Sequence, residues 1–176
     1  DKDGTLEFRS LEKNIEVRDL SFSYGEAGPA LKRVSFSLEK GQMTAIVGAS
    51  GSGKTTLIHL LMRFYDAPPN SILIDGVDIN RYTLRSLRSK ISLVSQDTWL
   101  FHDSLRANLA YGLDGPVSEE KIIQALQQAE LYDMVTHLPE RLETRIGDRG
   151  VKLSGGEKQR LSIARTLLKN SEILIL

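Results

Sequence analysis

Residues 43–55 read MTAIVGASGSGKT, an apolar run that passes directly into a glycine-rich octet. Gly48-Ala49-Ser50-Gly51-Ser52-Gly53-Lys54-Thr55 satisfies the pattern G-x-x-x-x-G-K-[ST] at every fixed position. Glycines at those places let the backbone wrap inward, so that successive N–H groups converge on one anion. The helix that follows adds the positive end of its dipole. Lys54 then reaches the β- and γ-phosphates of a nucleotide, and the Thr55 hydroxyl can ligate Mg²⁺. A glycine-rich turn with an exposed lysine is the plain alternative, and the flanking sequence argues against it. MTAIVG predicts a short apolar strand before the loop. Leu57, Leu60, Leu61 and Phe64 recur at helical spacing after it, until Pro68-Pro69 stops the helix.

The rest of the chain reads as α/β. Ile15, Val17, Phe22 and Tyr24, and then Val34, Phe36 and Leu38, alternate roughly with polar residues, which predicts two strands joined by the GEAGP loop at 25–29. Ile72-Leu73-Ile74-Asp75-Gly76-Val77 predicts a hairpin around Asp-Gly, with Asp75 as a turn residue. A short helix near Leu84 to Arg88 and a strand at Ile91 to Val94 follow. From Asp97 to about Gly150 the pattern is helical. Asp103 is expected to cap a helix beginning at Ser104, and Ser118 to cap another with Glu119 and Glu120 in its first turn. Ile122, Leu126 and Ala129 give that second helix a buried face. Composition narrows the function classes. Lys and Arg total 23 against 23 Asp and Glu, so no basic surface for nucleic acid is implied. The absence of cysteine excludes disulfides, thiolate metal sites and a thiol nucleophile. No run is long and apolar enough for a membrane-spanning helix, and DKDGTLEFRS is not a signal peptide.

A second glycine-led helix opens at Leu153-Ser154-Gly155-Gly156-Glu157-Lys158-Gln159-Arg160, with Leu161, Ala164 and Leu168 on one face. Ser154-x-x-Glu157 is a capping box, which alone explains a helix start. Two consecutive glycines cost about 1 kcal/mol each in a helix interior and are not needed for a cap. They permit close approach of the backbone to an anion instead. Capping and phosphate binding both remain open on the residues alone.

The phosphate loop followed by LSGGEKQR resembles the ATP-binding cassette (ABC) family, whose signature reads LSGGQ. The resemblance covers essentially the whole chain. FYDAP, IDGVDI, LRSLRSKISLVSQDTWLF, LRANLAYG and TRIGDRG are similar to the exporter-type subgroup, in which the nucleotide-binding domain is fused to a membrane domain. Glu157 departs from the usual glutamine. The implied fold is a P-loop core with an N-terminal antiparallel β subdomain and an inserted helical subdomain. Its expected division is 1–96 for the β subdomain and core, 97–150 for the helical subdomain, and 151–176 for the signature helix and the strand Ile173-Leu174-Ile175-Leu176. The resemblance implies ATP and Mg²⁺ as ligands. Gly48, Ser50, Gly51, Ser52, Gly53, Lys54, Thr55 and Thr56 would hold the phosphates, Tyr24 would stack on adenine, and Thr55 and Gln96 would attend the metal. Gln96 is also implied as a catalytic residue that contacts the attacking water and links the site to the membrane domain. Ser154, Gly155 and Gly156 would act on the ATP of a partner in a head-to-tail pair. Thr144 to Gly150 would face the partner's membrane loops.

In the family an Asp and a Glu follow the last strand and complete the hydrolytic site, so both are expected after Leu176. The 176-residue chain by itself is therefore expected to be soluble and to turn over ATP poorly or not at all. Trp99 and Phe101 are expected in the core or at a docking surface, and His59, His102 and His137 carry no expected role. The implied function is the ATP-binding and ATP-hydrolysing motor of an exporter at the cytoplasmic face of a cell membrane, the inner membrane in a bacterium. Its implied partners are a transmembrane domain and a second nucleotide-binding domain, with no nucleic acid. An ABC-type ATPase uncoupled from transport, or a nucleotide-binding module that dimerises without hydrolysis, are the alternatives.

Overall fold

The computed structural model describes residues 3–26, 28–95, 99–113, 115–147 and 152–176. The chain forms two compact units, Asp1–Ile91 and Ser92–Leu176. The first is built on a four-stranded antiparallel sheet in the order β2-β1-β3-β4, comprising β1 (Asn14–Ser23), β2 (Pro29–Glu39), β3 (Ile72–Ile74) and β4 (Val77–Asp78). Ile15 faces Leu38 and Val17 faces Phe36 across β1 and β2. Between Val17 and Leu20 the register shifts. The shift moves the inward phase of β1 from odd to even positions, because side chains alternate with period two. Leu20 is therefore fully buried, and Phe22 follows it on the same side. Ser35 Oγ accepts from Asp19 N at 2.8 Å and Ser21 Oγ from Arg33 N at 2.9 Å, so hydroxyls serve backbone amides at the irregularity.

The Asp75-Gly76 turn forms as expected, with φ of 50° and 80°. Asp75 also reaches back along the chain. Its carboxylate accepts the backbone N–H groups of Glu12 at 2.8 Å, Lys13 at 2.7 Å and Asn14 at 3.1 Å. Burial would raise this carboxyl, but the three donated bonds and the Lys13 charge outweigh it and hold its pKa below the usual value.

The first helix, α1, spans Lys54–Leu61. It ends well before the prolines that were expected to stop it. Met62 is its C-cap and Arg63 turns left-handed at φ 49°, with Arg63 N bonding Leu60 O at 3.0 Å. Arg88 holds the end from outside, donating to Met62 O at 3.0 Å and Arg63 O at 2.6 Å. These bonds satisfy carbonyls that a helix end leaves open. Phe64 thus lies outside the helix and is half exposed rather than on its buried face. The strand predicted at residues 43–48 does not form: Met43 is 96% and Val47 88% exposed. A strand exists only with a neighbour to accept its hydrogen bonds, and neither sheet among the described residues extends to this segment. The helix α2 (Leu84–Lys90) is capped by the Thr83 side chain and leads into β5 (Ile91–Leu93).

In the second unit β5 pairs with β6 (Ile173–Ile175), and Val94 N donates to Ile175 O at 2.9 Å. Four helices share one apolar core: α3 (Leu105–Ala110), α4 (Glu119–Gln128), α5 (Tyr132–His137) and α6 (Gly155–Lys169). Leu105, Leu109, Ile122, Leu126, Leu131, Ile146, Leu161 and Ala164 lie at its centre. Ser118 caps α4 as expected. The cap of α3 is Ser104 rather than Asp103: Ser104 Oγ accepts from Ala107 N at 3.1 Å, and the Asp103 carboxylate is taken by Ser104 N. Asn108 is fully buried and clamps the entry to α3, accepting from Phe101 N and donating to Phe101 O and Ser104 O. Trp99 is 71% exposed and Phe101 lies half-exposed against Tyr111, so neither is a core residue.

Candidate functional site

In the first unit α1 carries Lys54, Thr55 and Thr56, the loop 48–53 leads into it, and Tyr24 meets it at His59. The loop 48–53 runs into the helix without a break, and Gly53 is its N-cap at φ 90°, a backbone setting that L side chains rarely adopt. A Cβ at Gly53 would come 2.5 Å from Ala30 O and from Leu31 Cδ2. The start of β2 therefore packs directly on the turn of the loop. At Gly48 a Cβ would stand 2.6 Å from Ser52 Oγ, and Gly51 also has positive φ. Geometry requires a glycine at Gly53, whereas at Gly48 a Cβ would have to displace only the Ser52 side chain.

Among the described residues no side chain caps the start of α1, and its first turn carries no acid. The first amides of a helix are unsatisfied donors at the positive end of the dipole, so this end is fitted to an anion. The Lys54 ammonium lies back across the loop. It donates to Gly48 O at 2.7 Å and Ala49 O at 2.8 Å, with Ser52 Oγ at 3.4 Å. Thr55 is exposed at the helix start, as a metal-ligating hydroxyl must be. Thr56 is buried, which leaves its backbone amide as what it can offer a ligand. A lysine, an exposed hydroxyl and the leading amides of a helix are donors of the kind that phosphate groups and a divalent cation can use.

Tyr24 stands one residue beyond β1, at the tip of the β1–β2 hairpin. Its hydroxyl lies 3.3 Å from His59 Nδ1, and its ring meets Phe22 and Tyr65 edge-on at 5.1 and 5.0 Å. The sequence carries no signal for His59, and the alternation of Phe22 with Tyr24 is its one pointer to an aromatic cluster. Gln96 and residues 148–150 of the TRIGDRG segment lie outside the described residues.

Ser154, Gly155 and Gly156 belong to the second unit. The capping box forms in full: Ser154 N and Ser154 Oγ both donate to Glu157 Oε2 at 2.7 Å, and Glu157 N donates to Ser154 Oγ at 3.3 Å. Bonds from the Ser154 hydroxyl and backbone lower the Glu157 pKa, so the carboxylate stays ionised through the neutral range. A Cβ at Gly155 would meet nothing within 4 Å, which leaves the backbone there open to close approach. Among the described residues no helix is long and apolar enough to cross a membrane.

Residues 31–176 match the family model described as ABC transporter. The chain is 48% identical over 176 residues to an ATP-dependent lipid A-core flippase of Syntrophus aciditrophicus, covering 100% of this chain and 29% of that protein. It is 45% identical over 175 residues to the heterocyst differentiation ATP-binding protein HepA of a Nostoc species, covering 99% and 29%. Among solved structures it is similar to a bacterial Atm1-family ABC exporter with ATP bound, at 43% identity and a TM-score of 0.89, over 96% of this chain and 30% of that one. The chain thus spans less than a third of the length of these relatives.

Proposed function

The chain belongs to the ABC transporter family, in its ATP-binding domain, and from that premise we propose that it is the ATP-driven motor of an exporter, binding MgATP and coupling its hydrolysis to movement of a membrane-embedded partner domain. The observation that carries the reading is the start of α1. Three features converge there: a left-handed glycine, an end without side-chain cap or acid, and a lysine held over the loop. The kinship with flippases and with an ATP-bound exporter supports the transport half of the proposal.

In this reading the loop amides and Lys54 bind and orient the phosphates, and Tyr24 orients the base. Thr55 and Gln96 would hold Mg²⁺, which supplies charge neutralisation at the phosphate oxygens. Gln96 would also orient the attacking water. Catalysis by positioning and charge needs little covalent chemistry from the chain. Two copies would meet head to tail, with Lys54 of one and Ser154-Gly155-Gly156 of the other on the same ATP, at the cytoplasmic face of the membrane. Ser154 would then have to turn from its Glu157 bond toward phosphate.

Full-length protein in lipid vesicles should release phosphate from MgATP, and Lys54→Ala protein alone should not. Mixed with wild-type subunits, Lys54→Ala subunits should depress turnover more than dilution does, because in a mixed pair the defective site also stops the intact one. Unaltered ATP affinity in Lys54→Ala would overturn the motor assignment. A fall only in proportion to dilution would show that the two sites work independently and would remove the coupling between them.

A further inference from the structure

His59 sits on α1, five residues beyond Lys54, at a rise of about 7.5 Å along the same helix. It is half-buried, and its Nδ1 lies 3.3 Å from the Tyr24 hydroxyl, contributed by a hairpin 35 residues earlier in the chain. That contact forms in either neutral tautomer, since Nδ1 can accept the phenol proton or donate to its oxygen. The imidazole is itself fixed. Its ring lies 6.2 Å from Tyr65 at 35° between planes and 5.7 Å from Phe64 at 57°. Phe64 in turn lies under the Arg88 guanidinium, 5.4 Å from the ring centre. Tyr24 is held from its sides as well, by edge contacts to Phe22 at 89° and Tyr65 at 79°.

We infer that His59 is a positioning residue for the base end of the nucleotide. It ties the Tyr24 ring to the helix that carries the phosphate loop and so fixes the stacking face relative to the phosphates. The inference rests on reading Tyr24 as the base-stacking residue. Stacking by a π-face needs no hydroxyl. The hydroxyl of Tyr24 is therefore explained by its bond to His59, and a phenylalanine at that position would stack without being aimed. A ring already aimed loses less freedom when the base arrives, which is the advantage of preorganisation.

The test compares ATP with inorganic tripolyphosphate, which has the phosphates and no base, by calorimetry on the full-length protein. His59→Ala and Tyr24→Phe should each weaken ATP binding about three- to tenfold, the scale of one neutral hydrogen bond. The double variant should be no weaker than either single, because both remove the same bond. Affinity for tripolyphosphate should stay at the wild-type value in all three, and His59→Gln, whose amide can both donate and accept, should recover most of the ATP affinity. In turnover the loss should appear as a raised KM. If Tyr24→Ala weakens ATP while His59→Ala and Tyr24→Phe do not, the stacking role stands and the positioning role is wrong. If Tyr24→Ala changes nothing, the stacking role fails and takes this inference with it. Equal losses for ATP and tripolyphosphate in His59→Ala would overturn it too, by showing a general defect in α1.

Discussion

Two helices in this chain begin at glycines, and their first turns are built in opposite ways. The start of α1 has a glycine N-cap in the left-handed region, without side-chain cap or acid among the described residues. The start of α6 has a serine N-cap, a reciprocal bond to Glu157, and that acid in its first turn. Both answer the same requirement, since the leading amides of any helix want acceptors. At α6 the chain supplies the acceptor itself. At α1 no side chain among the described residues does so, and a lysine lies across the preceding loop. The contrast separates a helix end without a side-chain acceptor, the one we propose receives an anion, from one whose Ser154 and Glu157 amides are already bonded within the chain. GKTT and GGEK look alike as glycine-led starts, yet a single Ser-Glu pair decides between the two designs.

The contrast is broken most directly at Lys54. Lys54→Ala should weaken ATP by on the order of 100-fold, ~3 kcal/mol, through loss of charge-assisted bonds. Its circular dichroism should be unchanged. An equal loss of nucleotide affinity in Ser154→Ala of a single, undimerised domain would erase the distinction between the two ends. Next in size is Gly53→Ala, which puts a Cβ at φ 90° against Ala30 O and Leu31. Strain and overlap together should cost about 3 kcal/mol in urea unfolding. The same change at Gly155, where nothing stands within 4 Å, should cost well under half of that. Equal costs would show that the glycines serve one purpose at both sites.

Ser154→Ala sharpens the other side. Loss of the cap should cost about 1 kcal/mol of stability. ATP-driven pairing of the full-length protein should also fall if Ser154 serves the partner's nucleotide, and normal pairing would leave only the cap. The smallest effect is expected at Glu157. Its pKa is depressed in the folded state, so its contribution is present above the unfolded carboxyl value and is lost as pH falls through the folded one. Wild type should exceed Glu157→Gln by no more than about 0.5 kcal/mol at pH 7, because the carboxylate is solvent-screened. The gap should close on acidification below the ordinary carboxylate range. A gap that persists there would mean that the side chain acts by shape rather than charge.

Much of this was legible in the residues because it is local. The octet 48–55 specifies its own turn, Ser118 and Ser154 find their partners three residues on, and Asp75-Gly76 closes a hairpin between adjacent strands. Each of these depends on spacings that one short window contains. Family membership followed from two such windows, the phosphate loop and LSGGEKQR.

The remainder depended on groups far apart in sequence. The phase change of β1 at Val17–Leu20 needs the register of β2, and it decides that Leu20 rather than Asp19 faces inward. The end of α1 at Met62 is held by Arg88, while Pro68 and Pro69 gave the sequence a later stop. The apolar run at 43–48 has the composition of a strand, but a strand is made by its neighbour, and no window of sequence contains one. His59 showed no signal of its own. Its contact with Tyr24 exists because a hairpin folds over a helix, and that packing was decided only in three dimensions. Sequence alone determined which groups carry the chemistry that we propose holds a nucleotide. Only the tertiary structure decided which of them are turned toward one another, since direction is a property of packed elements and not of residues.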